Sequence, residues 1–292
     1  MRHVTVATDF SARSQRALRR AGLIARTTGC AVTLVHVVDD EQPDSLIAVE
    51  RDEAVRIMAG LTATTAELRD VRCEALVVTG EAFQGILRAA ESRGSDLIVM
   101  GPHRRQLLRD IFVGTTVERV IRSGPFPVLM VNGPVAGPHV RPLAAIDLSE
   151  SSVRAVRTAL ALGLVAADML AVVHTFTAAG KGKLAAVDVP GAVLGDYVAR
   201  ERDQVRRDLS VFLEASRLTV VETAVHLVED APFDAIGRVA GELGADLVIV
   251  GTHGRGALAR LLLGSVAEAV LRSLDVDVLA VPPLRASEAP EE

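Results

Sequence analysis

The amino-acid sequence repeats itself, and this duplication constrains the fold more than any other feature. Asp9 and the residues before it match Asp147 and the residues before it, at an offset of 138 positions. Further along, segments 95–101 and 245–251 match at an offset of 150 positions, so the second copy carries about a dozen extra residues between these points. A repeat of this length predicts two similar domains in the 292-residue chain, each able to bury its own core.

Two glycine-proline steps, at 133–134 and 137–138, mark the junction between the copies. The residues after about 285 are acidic and include a proline, with no apolar pattern to bury, so we expect this end to be frayed. We predict a first domain over 1–133, a linker over 134–141, a second domain over 142–285 and an acidic tail over 286–292.

Short apolar runs alternate with longer amphipathic segments in each copy. Runs such as 32–38 and 96–101 are typical of strands that are buried on both faces of a parallel sheet. Segment 14–28 has alanine, leucine and isoleucine on one side and arginines, including Arg20, largely on the other, which predicts an amphipathic helix. Its second-copy partner starts at Ser152. We therefore predict two tandem doubly wound α/β domains, each with a five-stranded parallel sheet and with ligands at the carboxyl ends of the strands.

Composition excludes several classes of protein. The chain is 49% apolar and 24% charged, too apolar to be disordered, and its net charge of −5 with one tyrosine and no tryptophan argues against binding nucleic acid. Its two cysteines have no zinc-binding spacing and are too few for a disulfide scaffold. The sequence shows neither a signal peptide nor an apolar stretch of about 18 residues. We expect a cytoplasmic protein that does not insert into membranes.

A glycine-rich motif follows the fourth predicted strand of the second copy. Gly251 is followed after two residues by Gly254, and after nine more by Gly264 and Ser265. Glycine lets the backbone approach a ligand closely and adopt a positive φ, and the helix that starts at this point offers unpaired N–H groups and a partial positive charge. The motif therefore indicates a cradle for a phosphate.

The same residues also fit a role without a ligand. Ser265 with Glu268, and Thr115 with Glu118 in the first copy, have the spacing of a capping box, in which side chains satisfy the first N–H groups of a helix. Gly254 is not needed for capping, and its presence favours the phosphate cradle.

In this motif and in its repeat, the chain resembles the universal stress protein family in its tandem two-domain form. The nucleotide-binding members of that family carry Gly, two residues, Gly, nine residues, Gly and then Ser or Thr, a pattern that the second copy matches at every fixed position. The first-strand aspartate followed by serine and the Leu-Val-His-Val of 34–37 belong to the resemblance, which runs from near residue 1 to about 285. It implies a Rossmann-like, adenine nucleotide alpha hydrolase-like fold and an adenine nucleotide cofactor, ATP or else AMP or ADP, which Mg can accompany.

The resemblance also implies which residues form the site. Asp147 and the main chain at Thr175 face the nucleoside, and the loop from Gly251 to Val266 holds the phosphates. The implied cofactor-binding residues are Asp147, Thr175, Gly251, His253, Gly254, Arg255, Gly264, Ser265 and Val266. From the residues alone, Asp147 and its counterpart Asp9 fit a helix cap as well as a ligand contact. No residue is assigned to catalysis or to a metal.

The first copy departs from the family motif at the second glycine, where Arg104 stands. A long side chain there is expected to obstruct close approach of the backbone, so we predict that ATP binds mainly to the second domain. Arg104 fits a phosphate contact or, alternatively, a solvated or internally paired arginine. The first-copy candidates are Asp9, Val37, Gly101, Arg104, Gly114 and Thr115.

Histidines are further candidates for chemistry. His36 and His174 lie within apolar strands and are interpreted as core residues. His103 and His253 lie in the two motif loops, where they fit a ligand contact or a weak acid–base role. The sequence identifies no orienting partner for either.

Three functions are open from the sequence. The resemblance favours an ATP-binding regulator or adaptor in the stress response, which acts with an unidentified protein partner. A slow ATP hydrolase or nucleotidyl transferase is the first alternative, with His253 or Asp147 assisting and Mg bound mainly by phosphates. The second alternative is a structural adaptor that binds no nucleotide, against which Gly254 argues.

Segments 127–131 and 277–281 are the last predicted strands of the two domains, and both are apolar. Single domains of the resembled family pair through their last strands, which implies that this chain makes the same contact internally. An apolar edge strand promotes aggregation unless it is covered, so the pairing protects both strands. A homodimer of two-domain chains would then use a different surface.

Overall fold

Strands and helices alternate along the chain as the repeat predicts. The structure, a computed structural model, describes residues 1–102, 115–178, 180–181, 186, 190–218, 224–253 and 263–283, so the predicted tail at 286–292 lies outside it. The strands are β1 (His3–Ala7), β2 (Ala31–Val38), β3 (Cys73–Thr79), β4 (Leu97–Met100), β5 (Val128–Met130), β6 (Pro142–Ala145), β7 (Ala171–Phe176), β8 (Val225–Glu229), β9 (Leu247–Gly251) and β10 (Asp277–Val281). The helices are α1 (Ala12–Thr28), α2 (Asp44–Thr64), α3 (Ala82–Ser92), α4 (Thr116–Ser123), α5 (Glu150–Ala161), α6 (Gly191–Ala215), α7 (Pro232–Leu243) and α8 (Ser265–Ser273). None of these described helices is long and apolar enough to cross a membrane.

The described strands form one sheet of ten, in the order β3-β2-β1-β4-β5-β10-β9-β6-β7-β8. Within each half, every neighbouring pair of strands is parallel. The predicted five-stranded parallel sheet in each domain is therefore confirmed. In each half the second and third strands lie on one side of the first strand, and the fourth and fifth strands lie on its other side. A crevice therefore opens between the carboxyl ends of the first and fourth strands.

The two halves are joined edge to edge. Strand β5 pairs with β10 in antiparallel register, with Leu129 opposite Leu279. Both side chains are fully buried. The predicted contact between the last strands of the two domains is therefore confirmed, and it converts two sheets into one.

Four charged side chains extend this joint along α4 and α8. Arg272 donates from Nε and Nη2 to the two carboxylate oxygens of Glu118, at 2.8 and 3.3 Å. These hydrogen bonds are the main cause that raises the pKa of Arg272. In the matching pair at the same joint, Nη2 of Arg122 lies 3.5 Å from Oε2 of Glu268. The offset of 150 positions maps each pair of residues onto the other, so the joint follows an approximate twofold symmetry.

Helix α1 buries one arginine that the amphipathic pattern assigns to its polar side. Arg20 is 3% exposed. Its Nε lies 3.0 Å from Oδ2 of Asp277 in β10, and its Nη1 donates to the carbonyl oxygen of Gly137 in the linker at 2.5 Å. The placement of Arg20 on a polar face is wrong, because the linker and the second domain cover that side of α1.

Helices α1 and α5 begin two residues before the predicted positions. The backbone N of Ser14 donates to Oγ of Ser11 at 3.3 Å, and that of Ser152 donates to Oγ of Ser149 at 3.2 Å. Ser11 and Ser149 are therefore the N-caps. The predicted starts lie within the first turn, because the apolar periodicity becomes visible only after the cap. In each helix the serine, and not the aspartate before it, is the cap.

Candidate functional site

Each half of the molecule has a cavity of about 180 Å³ at the carboxyl ends of its parallel strands. The second-half cavity is lined by seven of the predicted residues: Asp147, Thr175, Gly251, His253, Gly264, Ser265 and Val266. Gly254 and Arg255 lie outside the described residues. The described second-half candidates thus surround one cavity, and their part in binding stays a prediction.

The first-half cavity contains fewer of the predicted residues. Asp9, Val37 and Gly101 line it. Thr115 lies at the start of α4, where it caps the helix. Arg104, Gly114 and His103 lie outside the described residues. The structure therefore brings together three of the six first-copy candidates around this cavity.

The aspartate after the first strand of each half is held by the serine that caps the next helix. Oδ1 of Asp147 accepts from the backbone N and from Oγ of Ser149, at 3.1 and 2.5 Å. Asp9 makes the same two bonds with Ser11, at 3.0 and 2.5 Å. Burial by itself would raise the pKa of Asp9, but hydrogen bonds from Ser11 and Ser14 outweigh it and lower the pKa. Asp9 is therefore charged at neutral pH.

The first turns of α4 and α8 differ, although they occupy matching positions in the two halves. In α4, Oγ1 of Thr115 accepts from the backbone N of Glu118 at 3.2 Å, and the Glu118 carboxylate accepts from the backbone N of Thr115 at 3.3 Å. This is the predicted capping box. In α8, the N-cap is Gly264, and no side chain of the described residues caps the helix. The capping box predicted for Ser265 and Glu268 is therefore wrong.

The backbone at Gly264 accounts for the difference. Its N donates to the carbonyl oxygen of Thr252 at 2.8 Å, and the helix begins at the next residue. Ser265 is therefore the first helical residue, and its hydroxyl is one position beyond the place from which a side chain caps a helix. Glu268 pairs instead with Arg272 at 2.8 Å. The first N–H groups of α8 thus lack a side-chain acceptor among the described residues, and this turn lines the second-half cavity.

Gly251 and Gly101 are required by packing at the ends of their strands. A Cβ added at Gly251 would lie 2.6 Å from Oγ of Ser151, and one added at Gly101 would lie 2.8 Å from the carbonyl oxygen of Arg13. Neither glycine has a positive φ. Gly251 thus does not use the positive φ that glycine permits, and glycine is needed there because β9 ends against the first turn of α5.

Three of the described histidines belong to the predicted candidates. His174 is buried, and its Nδ1 lies 2.6 Å from the carbonyl oxygen of Ile146, which fits the expected core position. His36 makes the same contact, with its Nδ1 2.8 Å from the carbonyl oxygen of Thr8, but it is half-buried and also lines the first-half cavity, so its interpretation as a core residue holds only in part. His253 contacts Oγ1 of Thr252 through Nδ1 at 2.9 Å, while its buried Nε2 makes no hydrogen bond to the described residues. Within the described ranges, no three His, Cys, Asp or Glu side chains are grouped as a metal ion requires.

Sequence reasoning missed several residues that line the cavities. Arg13, in the first turn of α1, lines the first-half cavity, and Pro232 and Ile236 of α7 line the second. The signal for Arg13 is its counterpart Ser151 at the offset of 138, because the two copies differ there by a full charge. Pro232 and Ile236 have apolar side chains, which a search for chemical groups does not select.

The chain is similar to universal stress proteins over nearly its whole length. A sequence model of the universal stress protein family matches residues 1–132 and 141–282. A universal stress protein of Mycobacterium tuberculosis (strain H37Rv) is 24% identical over 303 residues, which cover 94% of this chain and 95% of that protein. One of Methanocaldococcus jannaschii is 29% identical over 149 residues, covering 42% of this chain and 90% of that protein. The crystal structure of a universal stress protein from Archaeoglobus fulgidus has a TM-score of 0.67 and 20% identity, covering 96% of this chain and 98% of that one. The chain therefore belongs to the universal stress protein family, with the family domain present twice in tandem.

Proposed function

We propose that this chain is an ATP-binding protein that acts as a nucleotide-dependent regulator or adaptor in the stress response, with ATP held mainly by the second domain. The observation that carries the proposal is the first turn of α8, which no side chain in the described part of the chain caps and which lines the second-half cavity. Unpaired N–H groups and the positive end of the helix dipole favour an anion at this point. A phosphate group supplies that anion.

The remainder of the second-half cavity suits a nucleoside. Ile146, Ile236 and Val250 form apolar walls. Asp147 adds carboxylate oxygens, which accept hydrogen bonds from hydroxyl or amino groups. Thr175 lies near the carboxyl end of β7 and lines the cavity. An apolar slot with a few polar groups at its rim is typical of sites for small cofactors.

Several finer points belong to the same proposal. ATP is the first candidate ligand, and AMP and ADP are the others. Mg is bound mainly by the phosphates. The protein works in the cytoplasm with a protein partner, and its domains are bounded at 1–133 and 142–285 with the linker at 134–141.

Thermal unfolding with and without ATP tests this proposal. ATP at 100 times its Kd should stabilise the parent protein by about 2.7 kcal/mol. Ser265→Glu puts a carboxylate at the first position of α8, where it favours the helix but repels a phosphate, so this variant should lose most of the shift in Tm. Thr116→Glu makes the same change at the first position of α4 and is the matched control, which should keep the shift.

Two results would contradict the proposal. If the shift disappears in Thr116→Glu and persists in Ser265→Glu, ATP binds in the first half. If ATP does not stabilise the parent protein at all, the adaptor without nucleotide is supported.

A slow ATP hydrolase is the second candidate, and His253 is the observation that favours it. Its buried Nε2 has no partner among the described residues, and the side chain lines the second-half cavity. Prolonged incubation with labelled ATP distinguishes the two functions, because a protein that only binds returns ATP unchanged. Release of phosphate that falls in His253→Asn while ATP binding is retained would support hydrolysis.

A further inference from the structure

A further cavity lies at the opposite ends of the first-half strands from the crevice described above. Its volume is about 290 Å³, and it is formed by the last turn of α1, the start of β2 and the turn that leads into β3. Because β2 and β3 are parallel, both present their amino ends at this place. The lining includes Arg26, Cys30, Arg69, Asp70, Val71 and Arg72.

Three arginines give this cavity a positive charge. The guanidinium groups of Arg26, Arg69 and Arg72 make no hydrogen bond or ion pair to the residues that the structure describes. Asp70 supplies one negative charge against these three positive ones. Glu67 also feels the charge of Arg26, but its carboxylate lies 2.7 Å from Nε of Arg19 and is held there. Like charges around one cavity repel each other, and an anion between them would remove that cost.

Backbone hydrogen bonds fix the turn that carries two of these arginines. The N of Val71 donates to the carbonyl oxygen of Leu68 at 3.0 Å, and the N of Val32 donates to that of Arg72 at 2.8 Å. Between them, Asp70 has a φ of 64°, a left-handed conformation that residues other than glycine seldom adopt. The turn is therefore set before a ligand arrives, so binding does not have to order the backbone.

The walls of the cavity indicate the chemistry of its ligand. None of the described lining residues is aromatic, and the apolar surface consists of small side chains such as Ala25 and Val71. A nucleobase therefore has no ring to stack on. Phosphate oxygens need only donors, and each planar guanidinium presents donors in pairs. Three such groups match an anion with several negative charges on linked phosphates.

The second half has no counterpart of this arginine cluster. The offset of 138 positions maps Arg26 onto Leu164, and the offset of 150 positions maps Arg72 onto Glu222. Leu164 is buried and belongs to the hydrophobic core. The cluster is therefore particular to the first half and is not a requirement of the shared fold.

We propose that this cavity binds a small inorganic polyphosphate, held by Arg26, Arg69 and Arg72 at the amino ends of the first-half strands. The site is separate from both cavities at the carboxyl ends of the strands. This inference goes beyond the proposed function, because it requires neither binding nor hydrolysis of ATP.

Calorimetric titration of the full chain with tripolyphosphate tests the proposal. The background is Ser265→Glu, in which a carboxylate repels phosphate at α8. Tripolyphosphate should bind at one site per chain, and inorganic phosphate, which has fewer charges, should bind at least about tenfold more weakly. Arg72→Gln should weaken tripolyphosphate binding about tenfold, and Arg72→Lys should restore part of the affinity. Arg51→Gln, which removes an exposed arginine from α2, is the matched control and should keep the affinity.

Proton–nitrogen correlation spectra of the same background locate the ligand. Tripolyphosphate should shift the amide signals of Gly29, Asp70 and Arg72, which line the cavity, and leave that of Gly101 at the carboxyl ends of the strands unchanged. The proposal is overturned if the three signals do not move, if Arg72→Gln binds tripolyphosphate as tightly as Arg51→Gln does, or if inorganic phosphate binds as tightly as tripolyphosphate.

A single-stranded oligonucleotide is the macromolecular comparison. If it binds more tightly than tripolyphosphate at the same concentration of phosphate groups and shifts the same signals, the small ligand is wrong and the surface binds nucleic acid. The ATP-dependent Tm shift of the wild-type chain tests the proposed function separately, so the two failures are distinguishable.

Discussion

Asp277 is a fully buried carboxylate that joins three parts of the molecule. It lies at the start of β10, accepts from the backbone N of Gly133 at 2.9 Å, and contacts Nε2 of His139 at 2.9 Å and Nε of Arg20 at 3.0 Å. One side chain thus holds the first helix, the linker and the second domain together.

We predict that Asp277→Asn lowers the free energy of unfolding by about 3–5 kcal/mol, because it leaves the buried charge of Arg20 without its counter-ion. Urea unfolding measures the loss. Glu53→Gln is the control, since it removes an exposed ion pair with Arg56 and should change the same quantity by less than about 1 kcal/mol. Equal effects of the two substitutions would show that Asp277 does not hold the halves together.

The structural role of a residue was predictable from the sequence where the neighbouring residues determine it. Thr115 and Glu118 have the spacing of a capping box and form one. Ser265 has the same spacing to Glu268 and forms none, because the preceding backbone binds Thr252 and shifts the start of the helix. The burial of Arg20 depends on a domain that lies more than 100 positions away in the chain, which a helical periodicity does not contain.

At the scale of single elements, α4 and α8 give a matched test of capping. Thr115→Ala should cost about 1 kcal/mol of stability, because it removes the acceptor of the Glu118 N–H. Ser265→Ala should cost much less in the absence of ligand, since this hydroxyl caps no N–H group of the described part of α8. Chemical denaturation of both variants without ATP measures the difference. A loss in Ser265→Ala as large as that in Thr115→Ala would mean that the two helix ends are equivalent.

The paired strands β5 and β10 give a second prediction at this scale. Leu279→Lys buries an ammonium group in the joint and should lower the free energy of unfolding by about 3 kcal/mol or more. Leu129→Lys should act alike, because the two leucines are opposite each other. Val49→Lys on α2 is the control, because Val49 is 65% exposed and should tolerate the change. Thermal unfolding of the three variants compares them, and similar Tm values for all would contradict the buried joint.

The strands that the sequence located were predictable because each is a short apolar run with few alternatives. The run 277–281 coincides with β10 as the structure has it, and the segment 96–101 extends only slightly beyond β4. The starts of α1 and α5 were less predictable, because their capping serines and first-turn residues precede the apolar pattern. For the cavities, the sequence predicted only where they lie, which is at the carboxyl ends of the strands. Their side-chain chemistry depends on residues such as Arg13, which the motif does not include.

For the whole molecule, the two halves are predicted to be unequal in their response to ATP. Calorimetry should find close to one ATP per chain, and Gly254→Arg, which copies the first half at this position, should abolish most of the ATP-dependent shift in Tm. The companion change Arg104→Gly should create or strengthen a first-half site for ATP only if the remaining pocket is competent. A stoichiometry near two in the parent protein, or an unchanged shift in Gly254→Arg, would contradict this asymmetry.

The internal joint between β5 and β10 has a consequence for how the two cavities can differ. In a dimer of identical chains, every substitution appears twice, so both cavities must keep the same side chains. Here the partners are segments of one polypeptide, and the joint between them does not depend on protein concentration. A guanidinium at position 13 and a hydroxyl at position 151 can therefore coexist in every molecule in a fixed ratio. Duplication followed by fusion gives the chain a paired architecture in which each half is free to specialise.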